Sequence, residues 1–298
     1  MPQDVGIQKV WYSDTDPVME MVAKYVDGEA VLGVDKDIKA RFLLPLMEMK
    51  AAKGFVNTSL AVDNTRGIKD AEEQEKMRVA SDLNDQAMAV FKTLIRQGVT
   101  EKEVADQMLK IYQDLGADGF SFEPLVAFGP NAADPHHGPD NTVLKEGDVI
   151  LFDVGCIKDG YCSDMTRTVV LGKADAEMKK LYNTVLRAQL AALEAAHEGV
   201  GCKALDTIAR DIIHGEGYVG CFGHSLGHGV GMYIHENPRL SQAAKEDSVL
   251  KPGHVVTFEP GIYIEGKYGC RIEDMVAILP DGRVHNFTHS DKQLIEIV

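Results

Sequence analysis

Gly223-His224-Ser225-Leu226-Gly227-His228-Gly229-Val230-Gly231, continuing through Met232-Tyr233-Ile234 to His235-Glu236-Asn237-Pro238-Arg239, decides how the rest of the chain is read. Three imidazoles and four glycines in so short a run leave little to bury. The run therefore reads as a site rather than a core. His228 stands between Gly227 and Gly229, which permit unusual backbone angles and close approach of other groups. The order His235-Glu236-Asn237-Pro238-Arg239 is not His-Glu-x-x-His, so the helical single-zinc protease motif is absent. No Gly-x-Gly-x-x-Gly can be drawn and no Lys-Ser/Thr follows, which removes the dinucleotide and phosphate loops.

Outward from this run stand four carboxylates. Asp153 ends the apolar run at 149–154, where an unpaired carboxylate would be costly. Residues 161–171 are predicted as its hairpin partner, with the turn at Lys158-Asp159-Gly160. Antiparallel pairing then brings Asp164 beside Asp153, and two adjacent carboxylates repel unless a cation lies between them. The alternative is two solvated turn aspartates. Glu259 follows a strand in Val255-Val256-Thr257-Phe258-Glu259-Pro260, and Glu273 is expected mid-strand in Arg271-Ile272-Glu273-Asp274. Singly, these read as ordinary charged strand residues. Together, four carboxylates and one imidazole are an oxygen-rich ligand set, suited to Mn(II), Fe(II), Co(II) or Zn(II) in a bridged pair.

The composition is that of a globular protein, with 45% hydrophobic and 26% charged residues among 298. Thirty-one Lys and Arg against 46 Asp and Glu leave a formal charge of -15, which argues against a nucleic-acid partner. No run reaches the length of a membrane span and no basic-then-apolar leader opens the chain, so no membrane association and a cytoplasmic address are expected. Cys156, Cys162, Cys202, Cys221 and Cys270 are odd in number and unpaired in spacing, and read as reduced, buried fillers.

Residues 1–66 form a leading section with a strand at 30–34 and a helix at 38–49. A helix is predicted over 69–95 from apolar residues at three-four spacing (Met77, Ala80, Leu83, Ala87, Met88, Phe91). After a break at Gln97-Gly98-Val99, Thr100-Glu101-Lys102-Glu103 has the form of a capping box and starts a second helix running to 115. A strand at 122–128 and a turn-rich loop from 129 to 141 follow. Two helices at 175–198 and 202–215 precede strands at 255–264 and 270–279, joined by Glu265-Gly266-Lys267. Helix pairs alternating with strand runs imply α+β and hint at an internal duplication.

Asp153-Val154-Gly155, Gly160-Tyr161-Cys162-Ser163-Asp164-Met165-Thr166-Arg167-Thr168, the run from His224 to Pro238, Thr257-Phe258-Glu259-Pro260-Gly261-Ile262-Tyr263 and Arg271-Ile272-Glu273-Asp274 occur in that order. Jointly they resemble the Xaa-Pro peptidase branch, prolidase and aminopeptidase P, of the metallopeptidases sharing the pita-bread fold. The resemblance implies that fold, with antiparallel sheets backed by helices over 67–298, preceded by a partial amino-terminal α/β domain at 1–66. It implies two divalent ions, Mn(II) first, held by Asp153, Asp164, His228, Glu259 and Glu273, with Asp164 and Glu273 bridging. His136, His235 and Glu259 are the implied catalytic residues, with His137 the competitor for the place of His136. His224, Arg239 and Arg271 are the implied substrate-binding residues. The implied reaction is hydrolysis of a small peptide before a proline in second position, by a homodimer. Aminopeptidase P activity on longer peptides, or a binding protein that has lost catalysis, are the alternatives; retention of all five ligand positions argues against the latter.

Overall fold

In a computed structural model describing Gly6 and residues 8–298, the chain divides into two compact units, Met1–Asn64 and Thr65–Val298, the division falling within a helix. The smaller unit holds α1 (Val18–Ala23), β1 (Val31–Val34), α2 (Ala40–Glu48), β2 (Gly54–Asn57) and most of α3 (Ser59–Gly67). β1 and α2 fall on the predicted strand and helix. β1 and β2 pair in parallel, Val31 opposite Gly54; with only two apolar residues, β2 is too short a run for a sequence signal.

The larger unit starts with α4 (Ala71–Thr93) and α5 (Glu101–Leu115). Both open with reciprocal capping boxes, Asp70 with Glu73 and Thr100 with Glu103, each satisfying two otherwise orphaned backbone donors. Then come β3 (Gly119–Phe120), β4 (Leu125–Phe128), a single 3-10 turn over Gly129–Ala133, β5 (Val149–Val154), β6 (Cys156–Lys158), β7 (Tyr161–Cys162) and β8 (Met165–Leu171). Helices α6 (Ala176–Glu194) and α7 (Cys202–Gly215) follow. The chain ends in β9 (Gly227–Gly229), β10 (Glu236–Leu240), β11 (Val255–Phe258), β12 (Gly261–Ile264), β13 (Tyr268–Arg271), β14 (Asp274–Ile278), β15 (Val284–Asn286) and β16 (Ile295–Ile297).

Two larger sheets organise the unit. One has the order β16-β8-β5-β4, with β16 parallel to β8 and the rest antiparallel. The other is antiparallel, in the order β10-β9-β11-β14-β15. Ile150, Phe152 and Val154 of β5 join Phe91, Met108 and Tyr112 of α4 and α5, while Val149 and Leu151 join the core shared with α6 and α7. Because β5 is covered on both faces, its sequence is a continuous apolar run rather than an alternating one.

The predicted hairpins are more broken than expected. Lys158-Asp159-Gly160 does turn the chain, but between the short strands β6 and β7. The partner of β5 starts only at Met165, placing Thr166 opposite Asp153. The expected strands at 255–264 and 270–279 each split in two. β12 and β13 form their own small ladder, while β11 and β14 pair in the larger sheet. The splits fall at Glu259-Pro260 and Ile272-Glu273, so Glu273 lies between strands rather than mid-strand.

Candidate metal centre

The strand breaks are where the carboxylates are. Asp164 lies between β7 and β8, Glu259 between β11 and β12, and Glu273 between β13 and β14; Asp153 is in β5 and His228 in the centre of β9. Backbone bonds tie the breaks together. The Glu273 N–H donates to the Thr166 carbonyl (3.1 Å) and the Glu259 N–H to that of Leu226 (2.8 Å). His228 is admitted by its flanking glycines through close approach: a Cβ on Gly227 would stand 2.0 Å from the Thr257 carbonyl oxygen, and one on Gly229 2.2 Å from that of Asn237.

All five side chains face one cavity of about 310 Å³, together with His136, His137, His224, His235, Arg239 and Arg271. Asp164, His228 and Glu273 are each buried and present donor atoms within 4.8 Å of one another. His228 Nε2 lies 3.5 Å from Asp164 Oδ2 and 3.4 Å from Glu259 Oε1. Its Nδ1–H donates to the Gly229 carbonyl (3.0 Å), which leaves the Nε2 lone pair facing the carboxylates.

The electrostatics show what this cluster requires. Burial, then the charges of Glu273 and Asp153, push the Asp164 carboxyl well above the usual range; burial, then Glu259 and Asp153, do the same to Glu273. Burial raises Glu259 to about 8, partly opposed by the Arg271 guanidinium. His228 is driven down to about 3 by burial and stays neutral. Asp153 Oδ1 is buried without a hydrogen-bond partner. A crowded carboxylate set, an imidazole with a free lone pair and an orphaned carboxylate oxygen fit divalent cations, which remove the repulsion and give Asp153 Oδ1 a partner.

Other expected residues take more specific places. His235 stands edge-on to His228, ring centroids 4.4 Å apart. His137 Nε2–H donates to the Glu101 carboxylate (2.7 Å), which leaves His136 as the uncommitted histidine of the pair. His224, expected to bind substrate, has both nitrogens engaged: Nδ1–H donates to the Ser225 carbonyl (2.9 Å) and Nε2 accepts from the Tyr263 hydroxyl (2.7 Å). Arg271, expected there too, is 2% exposed and turns all three nitrogens to protein atoms: Asp153 Oδ2 (2.5 Å), Tyr263 Oη (2.6 Å) and Thr166 Oγ1 (3.0 Å). It braces Asp153 rather than presenting a free fork. Arg239 lines the cavity from β10.

Sequence reasoning missed Tyr263, Thr166 and Arg167. The Thr166 hydroxyl donates to Glu273 Oε2 (2.7 Å) while accepting from Arg271. Buried Arg167 donates to the Glu273 carbonyl (2.6 Å), to Asp274 Oδ1 (2.8 Å) and to three further carbonyls, those of Thr166, Ser290 and Asp291. All five cysteines are free thiols, four of them buried and Cys221 partly so.

Residues 75–280 match metallopeptidase family M24. A Bacillus subtilis (strain 168) protein named "Putative dipeptidase YkvY" is 38% identical over 293 residues, covering 96% of this chain and 79% of the relative. The crystal structure of a dipeptidase from Pyrococcus horikoshii OT3 superposes with a TM-score of 0.91 at 33% identity, covering 97% of this chain and 81% of that one. A recombinant prolidase from Thermococcus sibiricus gives 0.91 at 36% identity, with 97% and 79% covered. The fold is the pita-bread fold expected from the motifs, and the chain is a metallopeptidase belonging to family M24.

Proposed function

We propose that the protein hydrolyses the peptide bond preceding proline in Xaa-Pro dipeptides, using two divalent cations that Asp153, Asp164, His228, Glu259 and Glu273 would hold. The observation that carries this reading is the convergence of these donors on one small cavity, with Asp153 Oδ1 orphaned. The similarity to a prolidase and to dipeptidases supports the substrate class. When bound, the cations supply Lewis acidity at the scissile carbonyl and a nucleophile at neutral pH.

The chain's own groups do the rest. Glu259 takes the proton of the attacking water and passes it to the leaving nitrogen. His235, lowered by burial and then by Arg239, stays a neutral N–H donor, and with His136 it bonds the oxygen on which charge develops. Proline's tertiary amide nitrogen carries no N–H, so recognition rests on cavity shape and on Arg239 holding the substrate carboxylate. Arg271 steadies Asp153, and His224 forms wall. Mn(II) as native ion, a cytoplasmic address, a homodimer and a catalytic domain at 67–298 belong to the same proposal.

The test is proline release from an Xaa-Pro dipeptide and cleavage of an Xaa-Pro-Xaa tripeptide by chelator-stripped protein, with and without Mn(II). Metal-dependent turnover of the dipeptide alone is expected. Comparable tripeptide turnover would make the protein an aminopeptidase P, and silence on both with metal bound would overturn proline specificity.

A further inference from the structure

Glu101 has no part in the chemistry described so far, yet it is completely buried at the first turn of α5. Its carboxylate accepts four hydrogen bonds. Oε1 takes the Phe128 N–H (2.7 Å) and the Asn131 side-chain amide (3.0 Å); Oε2 takes His137 Nε2–H (2.7 Å) and the Asp140 N–H (3.0 Å). With His137 and Asp140 it resembles a third cation site, but every lone-pair direction already receives a donor. The four donors have another logic. Phe128 ends β4, Asn131 and His137 lie within the loop, and Asp140 is near its far end. One carboxylate thus closes the neck of the loop that brings His136 into the cavity. Two backbone bonds complete the closure, Glu101 N–H to the Thr142 carbonyl (3.2 Å) and Lys102 N–H to that of Asp140 (2.9 Å).

We infer that Glu101, acting through His137, is a positioning residue that holds His136 at the reacting centre. The inference rests on the reading of His136 as an active-site histidine. Four charge-assisted bonds from one rigid helix turn restrict the loop, and a misplacement of about 1 Å at a catalytic group can lower a rate about 100-fold.

The test is a double-mutant cycle on Mn(II)-loaded protein. In Glu101→Gln an amide N–H₂ replaces one oxygen and faces the Asp140 N–H, so the neck opens. A fall in kcat of about 10- to 100-fold is expected, with a smaller change in KM. In the His136→Ala background Glu101→Gln should have no further effect on kcat, because both changes remove the same contribution. His137→Gln, which keeps the carboxylate, should give a weaker fall that also vanishes in that background, and serves if Glu101→Gln does not fold. Amide hydrogen exchange of the 129–142 loop in metal-free protein supplies a readout independent of turnover, and should accelerate in both variants. Additive effects on kcat, or unchanged loop exchange in a folded variant, would overturn the inference. Loss of proline specificity alone would overturn only the proposed substrate, since the cycle can be run on whatever peptide is cleaved.

Discussion

Raising the pH of the metal-free protein from 6.5 to 8 should destabilise it, and the site sets the size of the effect. Glu259 is raised from 4.5 to about 8, by burial first. The folded state therefore keeps a proton that the unfolded chain releases. That contribution to stability is complete below pH 4.5 and is lost as the pH climbs through 8. Asp164 and Glu273, raised by burial and by neighbouring carboxylates, act in the same direction. Buried imidazoles act oppositely. His228 at about 3, and His224 and His254 at about 4, are lowered by burial, so their contribution is complete above 6.5 and lost as pH falls. The two sets compete between 4.5 and 6.5. Above 6.5 the imidazoles no longer contribute a slope and the carboxyls act alone. One carboxyl changes stability by about 1.4 kcal/mol per pH unit in its window, so Glu259 alone accounts for about 2 kcal/mol between 6.5 and 8.

For a unit of this size, about 2 kcal/mol lowers the melting temperature by about 4–8 °C. Thermal unfolding followed by circular dichroism, at constant ionic strength on chelator-stripped protein, reads this directly. Glu259→Gln should flatten the slope by one carboxyl's share. Excess Mn(II) should abolish or reverse it, because ligand carboxyls bind the cation deprotonated. A metal-free wild type whose melting temperature holds or rises across 6.5–8 would refute the reasoning.

Asp164→Ala and Glu273→Ala should each abolish turnover and tight binding of a second cation; a variant that titrates two ions calorimetrically and still turns over would contradict their roles as ligands. Tyr263→Phe leaves an Arg271 N–H and the His224 Nε2 without their shared partner, at a cost of about 1–3 kcal/mol. A lower melting temperature and a reduced kcat/KM are expected, and a variant matching wild type in both would show the hydroxyl to be idle. Arg167→Ala removes one partner of a buried ion pair with Asp274 and should lose about 3–5 kcal/mol in urea unfolding; a loss below about 1 kcal/mol would mean the remaining bonds carry Asp274 and Glu273 unaided.

The elements that the sequence discloses are those whose cause is local. Thr100 and Glu103 cap α5 through atoms three residues apart, so the motif and the structure coincide. The 149–154 run is legible because burial on both faces makes it apolar at every position but Asp153. The breaks at Glu259-Pro260 and Ile272-Glu273 are not legible in the same way. Apolar residues continue on both sides, and the chain changes sheets there because of partners set far away in sequence: β11 pairs with β9, and β14 packs against β8. β16 shows the same limit: three residues at 295–297 become a strand only by lying parallel to β8.

The site divides along a similar line. Asp153 draws notice because a charge set among apolar residues is costly, whereas Asp164, Glu259 and Glu273 stand out only jointly, as a ligand set carried by motifs in a fixed order. Thr166 carries no such cost. Its hydroxyl joins Arg271 to Glu273 only because β5 and β8 place it opposite Asp153 and because the Glu273 N–H finds its carbonyl, over a separation of 107 positions. The same holds for Tyr263, whose hydroxyl accepts from Arg271 and donates to His224. The carboxylates of the site are therefore visible, as a set, before the fold is known. Those that orient them become visible only once register and strand breaks are known, and a search by carboxylate charge alone leaves out Thr166, Tyr263 and Arg167, which keep the site's side chains in place.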